Sequence, residues 1–329
     1  MALEISDTFT NISTPEIMEP ILLRTIQTKE YRGITGFSVV CEKMYVVSKE
    51  CSEVEVFDLM NSDFICRWKV NGMESPGDLT SCTKFMCIYI MDAKYIGESS
   101  EIIKLDLNGN IIHRWYVQDN CGCMSVTLES NIIVAAYETH RICEYAPDGS
   151  LLRQLYLLCC GISHPMHVLN LTESRFLVSY GSFNGQEHGL CVIEADGEDK
   201  NALSGIAGHS SCSDFDVPLF MALDSVGNVL VADCENSRVL LLNSCLQLKT
   251  QLLSYAEGFR HPYRLYIDNT SNMLIVSVND GDMEDGRILV YEINKAESNT
   301  QLSDAESFNA ESDNDDHYDG DDDFLYYDT

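Results

Sequence analysis

Three histidines, His164, His167 and His261, lie within two residues of Pro165 or Pro262. Three imidazoles can hold zinc and leave a fourth position for water or substrate. The same prolines offer a plainer reading, in which His-Pro at 164–165 and 261–262 sets the turn into a strand and the histidines are loop residues. The plainer reading is preferred. Among the carboxylates, Asp78, Asp216 and Asp268 are candidates for a hard cation, which needs several oxygen ligands. Asp268, however, sits in a segment that matches the turn at Asp224. The fourteen cysteines include no Cys-x-x-Cys. The nearest pairs, Cys121/Cys123 and Cys159/Cys160, lack zinc-finger spacing, and Cys66, Cys87, Cys143 and Cys191 fall inside apolar runs, so they read as core thiols. There is no Gly-x-Ser-x-Gly and no phosphate-binding glycine loop. On these residues no catalytic group, no metal and no cofactor is expected.

Charge narrows the partners. With 21 basic and 52 acidic residues the chain carries −31. A polyanion needs a basic footprint, so nucleic acid is not an expected partner. No run approaches the roughly 20 apolar residues of a membrane helix, and the first twenty residues hold no basic n-region or apolar h-region. A cytoplasmic monomer that avoids membranes is the expectation. Residues 296–329 contain twelve acids and no Lys or Arg. That composition predicts a disordered acidic tail.

The elements that position these residues come from a repeat. Residues 217–253 read VPLFMALDSVG, NVLVADCENS, RVLLLNSC, LQLKTQLL. These are four short β-branched and leucine-rich runs broken by turn residues. The order recurs in units beginning near residues 34, 76, 123, 165 and 262, at a spacing of about 42–53 residues, within the propeller range. Six four-stranded units bury their faces only when stacked in a ring. The sixth lacks a fourth run, and Ile21–Gln27 has strand composition. The prediction is an all-β, six-bladed β-propeller over residues 20–295, closed by an N-terminal strand, with residues 1–19 as a flexible leader.

The fifth unit resembles the NHL repeat at Pro218, Asp224, Gly227, Val231, Asp233, Asn236, Arg238 and Val239. The sixth does so at Pro262, Asp268 and Arg287. In that motif Asp233, Asn236 and Arg238 hold the blade, with a carboxylate and a guanidinium flanking a tight turn. The resemblance to NHL domains of TRIM-NHL-type proteins implies a non-catalytic scaffold presenting one face to a protein partner, in substrate recognition linked to ubiquitination. The chain has no RING or B-box spacing. Face candidates are Tyr31, Arg32, Tyr95, Tyr137, His164, Met166, His167, Phe220, Tyr263 and Arg264, types enriched at interface centres. Tyr263 and Arg264 are expected to be exposed, while Met166 and Phe220 are equally readable as channel plugs. The alternative is a divalent-metal-dependent hydrolase or lyase with its site in the propeller channel, as in the related propellers of the regucalcin and gluconolactonase family and of amidating lyases.

Overall fold

Turn chemistry shapes the hairpins of the blades. In blade 5 the Asp224 carboxylate accepts the N–H groups of Val226 and Asn228 at 3.0 and 2.8 Å, and Gly227 supplies a φ of +83°. Asp106 with Gly109 repeats the device between the third and fourth strands of blade 2, and at the same turn of blade 3 Asp148 accepts from the Ser150 N–H beside Gly149; φ is +86° at both glycines. These two glycines also make room. A Cβ at Gly109 would stand 2.6 Å from the Trp68 ring, and one at Gly149 2.7 Å from the Trp115 ring. The tryptophan of one blade thus covers the turn of the next.

The computed structural model describes residues 20–28, 32–93, 99–117, 119, 121–182, 187–195, 203–210 (203–207 by backbone alone), 214–255, 259–279 and 285–293. Strands are numbered in chain order. Strand β1 (Ile21–Gln27) precedes blade 1, which is β2 (Ile34–Val40), β3 (Lys43–Ser48), β4 (Glu53–Asp58) and β5 (Phe64–Lys69). Blade 2 is β6 (Pro76–Cys82), β7 (Cys87–Asp92), β8 (Glu101–Asp106) and β9 (Ile111–Tyr116). Blade 3 is β10 (Cys121–Val126), β11 (Ile132–Ala136), β12 (Arg141–Tyr145) and β13 (Leu151–Tyr156). Blade 4 is β14 (Pro165–Asn170), β15 (Arg175–Tyr180), β16 (Gly189–Ala195) and β17 (Leu203–His209). Blade 5 is β18 (Pro218–Leu223), β19 (Val229–Asp233), β20 (Arg238–Leu242) and β21 (Leu248–Leu253). Blade 6 is β22 (Pro262–Asp268), β23 (Met273–Asn279) and β24 (Gly286–Glu292), completed by β1, which pairs antiparallel with β24.

The molecule is therefore all-β, a six-bladed β-propeller whose ring is closed by the N-terminal strand. Second and third strands are buried almost throughout because a neighbouring blade covers each of their faces. Fourth strands are mostly exposed. Apolar side chains form one cluster per blade interface: Tyr45 and Val47 with Leu79 and Ile88, Tyr89 and Met91 with Met124 and Val134, and so on round to Ile275 and Val290 with Ile34 and Phe37. The ring closes tightly at Asn279, whose Oδ1 accepts the Ile34 N–H at 2.8 Å and whose Nδ2 donates to the Ile34 carbonyl at 3.1 Å. No helix among the described residues is long and apolar enough to cross a membrane. The leader (residues 1–19) and the acidic tail (residues 296–329) lie outside the described residues.

Candidate functional site at the channel mouth

The innermost strand of every blade carries an irregularity at the same place, between its first and third residues. A β-bulge leaves one residue unpaired and re-aims the side chains around it. Six bulges in register put Thr35, Gly77, Gly122, Met166, Leu219 and Tyr263 in one ring, and Gly36, Asp78, Cys123, His167, Phe220 and Arg264 in the next. Entry to these strands is strained. His164, Val217 and His261, each directly before a proline, have φ of 52°, 54° and 42°. For β-branched Val217 this is a left-handed outlier that costs on the order of 1–3 kcal/mol.

The second ring is sealed by one guanidinium. Arg264, from blade 6, crosses the axis to blades 2 and 3. Its Nε donates to Asp78 Oδ1 at 2.9 Å, its Nη2 to the Gly77 carbonyl at 3.1 Å, and its Nη1 to Cys123 Sγ at 3.5 Å. The rings of Phe220 and Tyr263 lie 4.8 and 4.6 Å from its central carbon. Phe220 in turn stacks on His167 at 3.8 Å between centroids. Gly36 has no side chain in this ring, and a Cβ there would strike the Asp78 and Leu79 backbone at 2.4–2.9 Å.

An inner strand is an edge strand facing the channel, so some of its N–H groups lack a ladder partner. Side chains of the ring meet that need. Asp78 accepts from the N–H of Leu79 and of Met124 in the next blade, both at 2.7 Å. His167 Nδ1 accepts from the Met221 N–H, again one blade on, at 3.3 Å. The neutral ring of His167 therefore carries its proton on Nε2. Burial, reinforced by the charge of Arg264, holds the His167 pKa well below the ordinary histidine value. Burial lifts the Asp78 carboxyl to about 6 against the opposing pull of Arg264 and the two N–H donors. It also pushes the Cys123 thiol to about 11 and the Tyr263 phenol to about 12, so both stay protonated at neutral pH.

Above this seal lies a cavity of about 200 Å³ lined by Gly122, Cys123, Tyr137, Glu138, Pro165, Met166, Leu219 and Tyr263. Blades 3 to 6 all contribute. Met166 and Leu219 pack with Val217 and Cys234, with Tyr137 and Tyr263 against them. Behind these wall residues, Cys234, Glu235 and His261 bring one ligand atom each within 4.8 Å of one another. Burial first, then the charges of Glu235, Asp233 and Asp216, push the Cys234 thiol up.

Several expectations change here. Arg264 is fully buried, not exposed, because Asp78 across the axis neutralises it. His167 is buried in the seal and is not a surface residue. Phe220 and Met166 belong to the channel, as seal and cavity wall. Tyr137 and Tyr263 reach the cavity. His164 stands behind it, 4.7 Å from the Tyr137 ring and 4.5 Å from that of His140. Arg32 lies apart and donates to the Glu50 carbonyl at 2.8 Å. Tyr31 and Tyr95 lie outside the described residues. Of the three histidines considered for zinc, only His261 joins a ligand group among the described residues. Of the three carboxylates, only Asp78 is in the channel seal, and its partner there is a guanidinium. Asp268 caps its turn through Thr270 and Ser271. Asp233 accepts from Asn236 Nδ2 at 2.9 Å, Arg238 Nε at 2.6 Å and the Asp216 N–H at 2.8 Å. The central ring had one readable signal. In blades 2, 4, 5 and 6 the second residue after the opening proline is Asp78, His167, Phe220 or Arg264, and aligning the repeats on their prolines brings these four into one row.

No protein-family model matches the chain, and no curated protein sequence matches it. Solved structures match the fold. An aldose sugar dehydrogenase from Streptomyces coelicolor, in its PQQ-bound form, matches with a TM-score of 0.62 and 13% identity, over 85% of this chain and all of its own. A protein of unknown function from Bacteroides caccae matches with a TM-score of 0.52 and 14% identity, over 73% of this chain and 84% of its own. The non-catalytic scaffold expected from the NHL resemblance is corrected by the first of these. The matched propeller is an enzyme, and no family model supports the resemblance on which the scaffold rested. The quinone itself does not fit. PQQ bears three carboxylates, whereas the described cavity lining has no Lys or Arg, Glu138 adds a negative charge, and Arg264 beneath is paired with Asp78.

Proposed function

We propose that the protein is an enzyme that takes a small, uncharged organic substrate into the channel-mouth cavity, as a divalent-metal-dependent hydrolase or lyase. The observation that carries this reading is the cavity itself. It is concave, largely apolar and closed below, with a few convergent polar groups, the usual make-up of a small-molecule site. Its volume of about 200 Å³ is under the roughly 300–1,000 Å³ of drug-sized sites, which favours a small substrate. Charge selects further: with Arg264 neutralised and Glu138 in the lining, an anionic substrate finds no free cation among the described lining residues. The protonated Tyr263 phenol can donate to a substrate oxygen. A divalent ion beside the cavity supplies a Lewis acid when bound.

Two finer readings go with this. The blades are of NHL type, a proposal supported by the Asp233–Asn236–Arg238 network and by its echo in blade 3, where Arg141 opens β12 and pairs with Asp119 at 2.7 Å. The location is cytoplasmic, a proposal supported by the thirteen described cysteines, among which no disulfide forms.

The test is a panel of small esters, lactones and dehydratable alcohols, assayed with zinc or calcium and with a chelator. Metal-dependent turnover is expected. Leu219→Trp, which fills the cavity, should abolish it while the melting temperature moves by a few degrees. Turnover that survives in a folded Leu219→Trp protein, or no turnover across the panel with either metal, overturns the reading.

A further inference from the structure

We propose that Cys234, Glu235 and His261 form a zinc site next to the cavity, where Cys234 packs with the wall residues Met166 and Leu219, an inference that rests on the catalytic reading and deepens it by naming its metal ligands. The three come from two segments far apart in the repeat. Cys234 and Glu235 follow β19 of blade 5, and His261 precedes β22 of blade 6. Tetrahedral zinc with bonds of about 2.0–2.3 Å sets its ligand atoms roughly 3.3–3.6 Å apart. His261 Nδ1 and Glu235 Oε1 already stand 3.8 Å apart, and all three ligand atoms fall within 4.8 Å. Closing on an ion therefore asks for about an ångström of movement. The exposed Glu235 side chain can supply it by a rotamer change.

The backbone under the ligands is held in place. The Cys234 and Glu235 N–H groups donate to the carbonyls of Val217 and Asp216, both at 3.1 Å. The His261 N–H donates to Ser237 Oγ at 3.4 Å, and its carbonyl accepts from the Asn279 N–H at 3.3 Å. His261, directly before Pro262, lies in the left-handed region with a φ of 42°. A site whose carriers are fixed before binding loses little freedom on taking up the ion.

The donor set selects the metal. One thiolate, one imidazole and one carboxylate are too soft for calcium or magnesium, which take oxygen cages, and suit zinc. Three protein ligands leave one position open, as zinc sites that act on a substrate do and closed structural sites do not. Binding converts the Cys234 thiol to a thiolate and releases one proton per ion to solvent.

The experiment uses the full chain, stripped with chelator and titrated with cobalt(II) and zinc. The expected result is one ion per chain. Cobalt should show a thiolate-to-metal charge-transfer band with tetrahedral d–d absorption, and zinc should displace both. Cys234→Ser and His261→Ala should each weaken zinc binding by more than the roughly 10–100-fold that loss of an outer partner costs. Glu235→Gln, on an exposed side chain, serves as the third variant should the buried substitution impair folding. Cobalt binding without the thiolate band, or zinc affinity unchanged in the folded variants, overturns the site. The two proposals fail separately. Tight zinc binding with no turnover keeps the site and removes the enzyme, whereas metal-dependent turnover in a protein whose zinc affinity is unchanged by Cys234→Ser and His261→Ala removes the site and keeps the enzyme.

Discussion

Asp78 in the channel and Asp233 in the blade 5 turn are both buried carboxylates paired with arginine, yet they are built on opposite terms. The Asp78–Arg264 pair is 0% exposed on both sides and joins residues 186 apart in sequence. The Asp233–Arg238 pair joins residues five apart, leaves Arg238 18% exposed, and gives the arginine a second acceptor in the Asp214 carbonyl at 2.9 Å. Burial raises the Asp78 carboxyl to about 6, and it raises that of Asp233 as well, against the bonds from Asn236 and Arg238. The difference is what remains when one partner goes. In the turn, an arginine left behind keeps Asp214 and a path to water. In the channel, both partners are fully buried and neither has that path.

The largest effect follows from that. Asp78→Ala leaves a buried guanidinium without its counter-charge and takes the side-chain acceptor from the N–H groups of Leu79 and Met124, a loss of about 3–5 kcal/mol. That is a fall on the order of 10 °C in melting temperature for a domain of this size. Asp78→Asn, which keeps an acceptor for the N–H groups, should fall less. The double variant Asp78→Leu/Arg264→Met should recover most of the loss. If thermal melts place Asp78→Ala within about 3 °C of the parent, the axis does not depend on this pair.

Asp233→Ala should cost less, about 1–3 kcal/mol, because Arg238 keeps Asp214 and water. Urea unfolding checks it, and a loss equal to that of Asp78→Ala would erase the contrast between channel and turn.

The smallest effect lies at the rim. Burial pushes the Asp268 carboxyl up, but the bonds from Ser271 and Thr270 outweigh it and hold it below the ordinary carboxylate value. A carboxylate lowered on folding stabilises the fold above its unfolded pKa, about 3.9, and that contribution is lost as pH falls through the folded value. The stability gap between the parent and Asp268→Asn should therefore be constant near neutrality and close as pH falls from about 5 to 3. A gap that stays flat over that range shows that the turn bonds do not depend on charge.

The same contrast explains what was legible in the sequence. The turn network of Asp233, Asn236 and Arg238, the Asp224 and Asp268 turns and the closing strand at Ile21–Gln27 all leave local signatures, because each is set by spacing of a few residues or by a repeat. The central seal does not. Arg264 reads as a surface arginine next to Tyr263 until the ring is closed and Asp78 appears across the axis. Cys234 and His261 stand 27 positions apart with no motif between them, since the blade interface, not the chain, makes them neighbours.

The closing strand has a consequence for how the chain is made. Strand β1 ends at Gln27, and its partner β24 begins at Gly286. At ribosomal rates of about 5–20 residues per second, β1 waits roughly 13–50 s for that partner. During that interval its sequence ILLRTIQ is an unpaired, apolar edge, and Ile21, Leu22 and Leu23 remain 51%, 49% and 44% exposed even in the finished ring. Blade 6 is thus the part of the molecule with the highest contact order and the longest exposure to misassembly. A nascent chain stalled before residue 286 presents this segment as the natural site for a chaperone, or for strand exchange with a neighbouring nascent chain on the same message.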